Sequence, residues 1–374
     1  MGADRVELTK AVELLNQKGL NGLIVYSNGA ANILRPNYLH YFSGCKPLGS
    51  RNAAVISKSG DVLLLVTPAS DAARSSSRSW IRDVRGTSLS AFVNDLKKAI
   101  KELCITGSIG LAGSGEMTTE VYDGVRKVAN LVPADEIIPQ IAREKTDAEI
   151  EKARKAGRAA DAGYKAFVEY ARPGITEYEL LAEMELAMRS AGADDNFNLL
   201  SSGNHNLAMH SATDRRLMEG DIVIAEISPV VDGQVLQICR TIVLGKANPL
   251  LVEKYEMLVH ALQESLKMIK PGEPASSMAI AMNKVISEAG YAKYCAPPYM
   301  RARGHGMGVG SIAPGGVIDD ETEANFEKGQ VVVVHPNQYL PETGYLACGE
   351  TVLVTDKGFE RLEESLTRLH AKEV

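Results

Sequence analysis

Apolar and polar residues alternate along the first third of the chain in two rhythms, one helical and one of short unbroken apolar runs. Val6 to Lys18 repeats at helical spacing, and Gly22 to Tyr26 is an apolar run short enough to be a buried strand. Asn52 to Ile56 and Asp61 to Val66 predict a strand pair closed by the turn residues Lys58, Ser59 and Gly60. A helix over Ser88 to Leu103 and a strand over Gly107 to Leu111 complete an α/β domain spanning residues 1–142. The rhythm then changes. Lys145 to Tyr170 is one long Ala/Lys/Glu-rich helix, with Thr146 as N-cap, Glu149 three residues on, and Pro173-Gly174 as its stop. Strand-rich text from Gly220 to Gly245 is followed by helices over Leu251 to Ile269 and Ala275 to Gly290, separated by Pro271-Gly272. Strands return at Gly329 to Val334 and Glu350 to Val354, giving a second domain over residues 143–374.

Composition narrows the class. A chain of 374 residues, 45% hydrophobic and 24% charged, can fill two cores. A net charge of −6 and a pI near 5.8 leave no basic footprint for nucleic acid or an anionic membrane. No apolar run approaches the roughly 18 residues of a membrane span, and the start MGADRVELTK lacks the apolar stretch of a secretory signal. The five cysteines, at 45, 104, 239, 295 and 348, are odd in number and contain no CxxC, as expected of free thiols in a reducing cytoplasm.

Candidate chemistry lies in the second domain. Glu226 and Gln237 stand eleven apart in EGDIVIAEISPVVDGQVLQICRTIVLG. His305 lies in GHGMGVG, His335 in VVVVHPNQY, and Gly349-Glu350 in ACGETVLVT. His210 closes the run NHNLAMH, ahead of Gly220-Asp221. The glycines around His305 are spaced G-x-G-x-G-x-G, which is not the dinucleotide fingerprint. Cys239 beside Arg240 is a conceivable nucleophile, although a buried strand thiol is the commoner case.

These segments, with the weaker phrase Tyr41-Phe42-Ser43-Gly44, resemble the prolidase, aminopeptidase P and creatinase family, which has the pita-bread fold. The resemblance implies an α/β (α+β) protein: an N-terminal α/β domain, then a C-terminal domain whose strands close on a central pocket. It also implies a homodimer acting on a small-molecule substrate. Metal-dependent members carry Asp, Asp, His, Glu and Glu at five places that here read Glu226, Gln237, His305, His335 and Gly349. Two divalent ions 3.5 Å apart repel by about 19 kcal/mol at an effective dielectric of 20, and the family offsets this with four carboxylates. This chain offers Glu226 and, one place out of register, Glu350, whose side chain a one-residue step turns to the other face of a strand. A two-metal hydrolase is therefore not expected. A single metal on Glu226, His305 and His335 remains open, since two imidazoles and a carboxylate suit zinc or iron.

Within the resemblance, His210 matches the rim histidine that is the acid/base of creatinase, and imidazole titrates near neutrality. The second His-Glu pair of the peptidases is Ile312-Ala313 here. The two pocket glutamates of creatinase fall at Cys239 and Gly349, so creatine itself is not expected as substrate. Arg51, Arg301 and Arg303 are candidates for a substrate carboxylate, since a guanidinium fork suits that group. The leading expectation is a metal-independent hydrolase of a C–N bond in a small amidine, amide or cyclic compound. His210 would be the acid/base, Glu226 and His335 would orient water, and His305, Gln237, Glu350 and an arginine would hold substrate. The alternatives are a mononuclear-metal Xaa-Pro-type peptidase or lyase, and a non-catalytic binding module.

Overall fold

The computed structural model describes residues 5–29, 37–308, 310 and 316–374, which form two compact units, residues 1–142 and 143–374. The first unit is built on a six-stranded sheet of order β4-β3-β2-β1-β5-β6. Its strands are β1 (Gly22–Ser27), β2 (Asn52–Ser57), β3 (Val62–Val66), β4 (Asp83–Gly86), β5 (Ser108–Ala112) and β6 (Asn130–Pro133). The central strands β1 and β2 are buried along their whole length, because helices cover both faces. The edge strands β4 and β6 are four residues each and largely exposed, too short for a long apolar run to announce them.

The second unit opens with the helix Asp147–Tyr170. Thr146 accepts a hydrogen bond from the Glu149 amide while the Glu149 carboxylate accepts from the Thr146 amide, so two of the helix's orphan donors are satisfied. After the helix Glu177–Ser190 come β7 (Asp195–Gly203), β8 (Ile222–Val231), β9 (Gln234–Val235) and β10 (Ile238–Leu244). The helices Pro249–Leu266 and Ser276–Ile286 precede β11 (Gly304–Met307), β12 (Val317–Ile318), β13 (Val331–Val334), the hairpin β14 (Gln338–Leu340) and β15 (Gly344–Leu346), β16 (Glu350–Val354), β17 (Phe359–Arg361) and β18 (His370–Lys372).

Two sheets result. One runs β18-β10-β8-β7 with β9 beside β8, and the other runs β12-β11-β13-β16-β17. They meet at the antiparallel bridge of Cys239 and Gly349, in which each amide donates to the other residue's carbonyl at 3.1 Å, and the Val235 amide donates to the Gly308 carbonyl at 3.0 Å. Arg240, fully buried, ties this seam to the C-terminal segment. Its guanidinium donates to the Gly349 carbonyl at 2.5 Å and the Ser365 carbonyl at 2.9 Å. The core behind the seam joins Ile222, Ile224, Val332, Val334 and Val352 to the two helices between the sheets. Among the described residues, no helix is long and apolar enough to cross a membrane.

Candidate active site

Four of the sequence candidates of the second unit, Glu226, Gln237, His305 and His335, lie along the seam by a chain of backbone and side-chain neighbours. Glu226 on β8 is directly opposite Cys239 on β10 and Leu199 on β7, so these three share one face of the sheet. The Cys239 sulfur accepts from the Asn337 amide nitrogen at 3.4 Å, and Cys239 bridges to Gly349. Gly349 lies against His335: a methyl added at Gly349 would sit 2.7 Å from His335 Cβ and 2.9 Å from the Val334 carbonyl oxygen. The His335 ring meets the His305 ring edge to face at 5.3 Å, where β11 and β13 pair. Glu226, Gln237, His305 and His335 are thus all carried by residues at or next to the seam.

The electrostatics follow from burial. Glu226 is half-buried, and desolvation pushes its carboxyl up to about 7, with the Arg301 charge pulling it back. His335 is buried, with no partner for Nδ1, and burial plus the neighbouring His305 hold its imidazole down at about 3, so it is neutral at ordinary pH. Burial pushes the Cys239 thiol up to about 12, which keeps it protonated and removes it as a nucleophile. Gln237 is buried, its side-chain nitrogen 3.8 Å from the Cys239 sulfur and its main-chain carbonyl accepting from the Thr351 hydroxyl.

His210 is exposed, on the loop after β7. Its amide donates to the Ser201 hydroxyl at 2.8 Å and its carbonyl accepts from the Leu200 amide at 3.0 Å. Nδ1 lies 2.7 Å from the Ser211 carbonyl oxygen, which makes Nδ1 the protonated nitrogen and leaves Nε2 as the acceptor. His205 anchors this loop. Its Nε2 lies 3.1 Å from the Pro341 carbonyl and its ring packs edge-on against Tyr339. Nothing in its spacing from His210 pointed to that contact, because the partner is 134 residues further on in the chain as Tyr339.

Two expectations need correction. Arg303 is not a substrate-binding residue: it is 1% exposed, and its guanidinium donates to Asn283 Oδ1 at 2.8 Å, Gln338 Oε1 at 3.0 Å and the Asn337 carbonyl at 3.3 Å. Glu350 is not one either. Its Oε1 accepts from the Thr367 hydroxyl at 2.7 Å and its Oε2 pairs with Arg361 at 2.6 Å, so the one-residue offset has turned it to the C-terminal segment. Arg51 belongs to the first unit, where it donates to the Leu89 carbonyl at 2.7 Å and pairs with Glu120 at 3.2 Å. Ile312 and Ala313 lie outside the described residues.

Against this geometry, the residues 151–356 match the model of Metallopeptidase family M24, and 7–141 match that of the Creatinase/Prolidase N-terminal domain. The chain belongs to family M24. Membership places it among hydrolases that act on C–N bonds. Among curated M24 relatives, the Xaa-Pro dipeptidase of Pyrococcus furiosus is 28% identical over 337 residues, 89% of this chain and 92% of that protein. The M24 architecture is shared with an Xaa-Pro dipeptidase from Bacillus anthracis (TM-score 0.84, 23% identity, covering 98% of this chain and 99% of that one). It is shared equally with the prolidase from Pyrococcus horikoshii OT3 (TM-score 0.83, 24% identity, covering 97% and 99%). The metal implied by the family name does not fit the donors of this M24 site. Among the described residues no group of three or more His, Cys, Asp and Glu side chains could hold a metal ion, and that includes the Glu226, His305 and His335 set. One carboxylate, shared with the field of an arginine, remains where a two-metal site needs several.

Proposed function

We propose that this protein hydrolyses the amide C–N bond of a small, dipeptide-like molecule with its own side chains in place of bridging metals. The named relatives act on Xaa-Pro dipeptides, which favours a peptide-type amide over the amidine or cyclic compound that a creatinase-like reading suggested. The observation that carries the metal-independent part is the donor set at the seam: Glu226 alone as carboxylate, beside two imidazoles and a glycine locked against one of them. In this scheme the His210 Nε2 lone pair takes a proton from water as the water oxygen bonds to the amide carbon. The carbonyl electron pair moves onto oxygen, and collapse of that tetrahedral species breaks the C–N bond as the nitrogen takes the proton back from Nε2. Glu226, with a carboxyl near neutral pKa, orients the water, and His305 and His335 line the oxygen side.

The test is turnover of a panel of Xaa-Pro and other dipeptides, with and without chelator. Chelator-insensitive hydrolysis that falls 10²–10⁴-fold in His210→Ala, with unchanged circular dichroism, is the expected result. Full activity in that variant removes the histidine mechanism, and activity that appears only with added manganese or cobalt returns the protein to the metal chemistry of its relatives. The loss of ligand carboxylates also favours a second reading, a binding module without turnover, which the same panel separates by binding without hydrolysis.

A further inference from the structure

The loop that carries His210 is tied at its neck by one carboxylate. Glu177 is fully buried at the first position of the helix Glu177–Ser190, where the positive end of the helix favours a carboxylate. Its Oε1 accepts from the Ser202 amide at 2.7 Å and the Ser202 hydroxyl at 2.6 Å. Its Oε2 accepts from the Thr213 amide and the Thr213 hydroxyl, both at 2.8 Å. Ser202 lies on β7 and Thr213 beyond His210, so this one side chain closes residues 203–212 into a loop. The helix backbone adds to the clamp. Its Glu177 and Tyr178 amides, orphans of the first turn, donate to the Arg215 and Thr213 carbonyls at 3.0 and 3.1 Å. Arg215 directs both hydroxyl protons at Glu177, because its guanidinium donates to the Ser202 hydroxyl at 2.7 Å and its amide to the Thr213 hydroxyl at 3.2 Å. His210 is held just inside this neck. Its amide is bonded to the Ser201 hydroxyl, next to Ser202, and its Nδ1 to the Ser211 carbonyl, two residues before Thr213.

We propose that Glu177 is the positioning residue of His210. By fixing Ser202 and Thr213 to each other it holds the Ser211 carbonyl against Nδ1, and so keeps Nε2 as the lone pair of the ring. A neutral imidazole exchanges between two tautomers unless one nitrogen is bonded, and only the form protonated at Nδ1 has a basic Nε2. In the serine-protease triad a buried carboxylate selects that tautomer by touching the histidine, and its loss costs about 10⁴-fold in rate. Glu177 works one step further away, through the backbone of the loop it closes. The inference rests on the hydrolase reading only for its effect on rate, since the tautomer is a property of the folded chain without substrate.

The experiment is NMR of the full chain labelled with nitrogen-15 histidine, at alkaline pH, with the His210 ring signals assigned by their loss in His210→Ala. Glu177→Gln keeps the volume but sets an NH2 group against the amide of Ser202 or Thr213, which cannot accept a hydrogen bond. The unmodified protein should carry the proton on Nδ1. Glu177→Gln should move His210 to a mixture of tautomers, Thr213→Val should move it the same way, and Thr213→Ser should leave it in place. Where Glu177→Gln does not melt cooperatively, Thr213→Val decides. On a dipeptide that the protein hydrolyses, Glu177→Gln should lower kcat about tenfold or more while KM stays within about threefold. A His210 that lacks the Nδ1 proton in the unmodified protein overturns the proposal, and so does an unmoved tautomer in the folded variants. A moved tautomer in a protein without turnover upholds the clamp and sinks the hydrolase reading. Turnover that is lost in His210→Ala, with the tautomer unmoved in Glu177→Gln and Thr213→Val, does the reverse.

Discussion

At the scale of single residues, depth decides what the sequence could not. Arg301 and Arg303 look alike as letters, yet one is exposed and the other is 1% exposed with three partners. Glu350 was legible as misaligned from the strand period alone, because a one-residue step changes the face. Its actual partners, Arg361 and Thr367, come from a segment with no recognisable motif. Gly349 is the residue whose meaning changed most. As a letter it is an absent ligand, and in the fold it is a contact. Gly349→Ala should therefore destabilise by about 1–3 kcal/mol, the range for forcing a methyl into filled space. Chemical denaturation checks it, and a stability unchanged within error would mean that His335 and Val334 yield freely.

At the scale of elements, strong periodicity was readable and polar edges were not. The long helix was evident from its composition and its Thr146/Glu149 box, and it forms as Asp147–Tyr170. β7 was not evident, because Asp195–Gly203 is rich in Asn and Ser, pairs on one side only and is half-buried over most of its length. Just ahead of the long helix, Lys145 is a local cost within this element. It is buried, its Nζ has no hydrogen-bond partner, and desolvation draws its ammonium down to about 7 against the opposing Glu149 charge. A base with a lowered folded pKa is least costly above its unfolded value near 10.5 and destabilises increasingly as pH falls toward 7. Lys145→Met should raise stability at pH 7 by about 1–2 kcal/mol, since it removes an unpaired buried charge and keeps the volume. Urea midpoints at pH 7 and pH 10 measure this, with the gain shrinking at the higher pH. A loss at pH 7 would show that the ammonium has a stabilising partner.

For the whole molecule, the titration of buried acids sets a slope that surface pairs do not. Burial raises Glu226 to about 7 and Glu363 to about 8, the latter opposed by Arg240 and reinforced by Glu350. Folded pKa values above the unfolded ones mean that their contribution is complete below about 4.5 and is lost as pH rises through 7 to 8. His335 works the other way: held at about 3, it supports the fold above 6.5 and withdraws that support as pH falls. Glu363→Gln should remove one proton's worth of this dependence, about 1.4 kcal/mol per pH unit between pH 5 and 8. The melting temperature of the variant should accordingly gain on the unmodified protein across that range, and parallel curves would assign the slope elsewhere. The two-domain α/β plan was readable in order of elements, whereas the meeting of the two sheets at Cys239 and Gly349 was not, because a backbone bridge leaves no trace in side-chain chemistry. That bridge has a wider consequence. What joins the two sheets there is main chain to main chain, braced by the buried side chains of Arg240, Thr241 and Thr351, which bond the Gly349, Ala347 and Gln237 carbonyls across the seam. None of those three bracing side chains is among the candidate ligand residues, so the donors beside the seam can change while its braces stay in place.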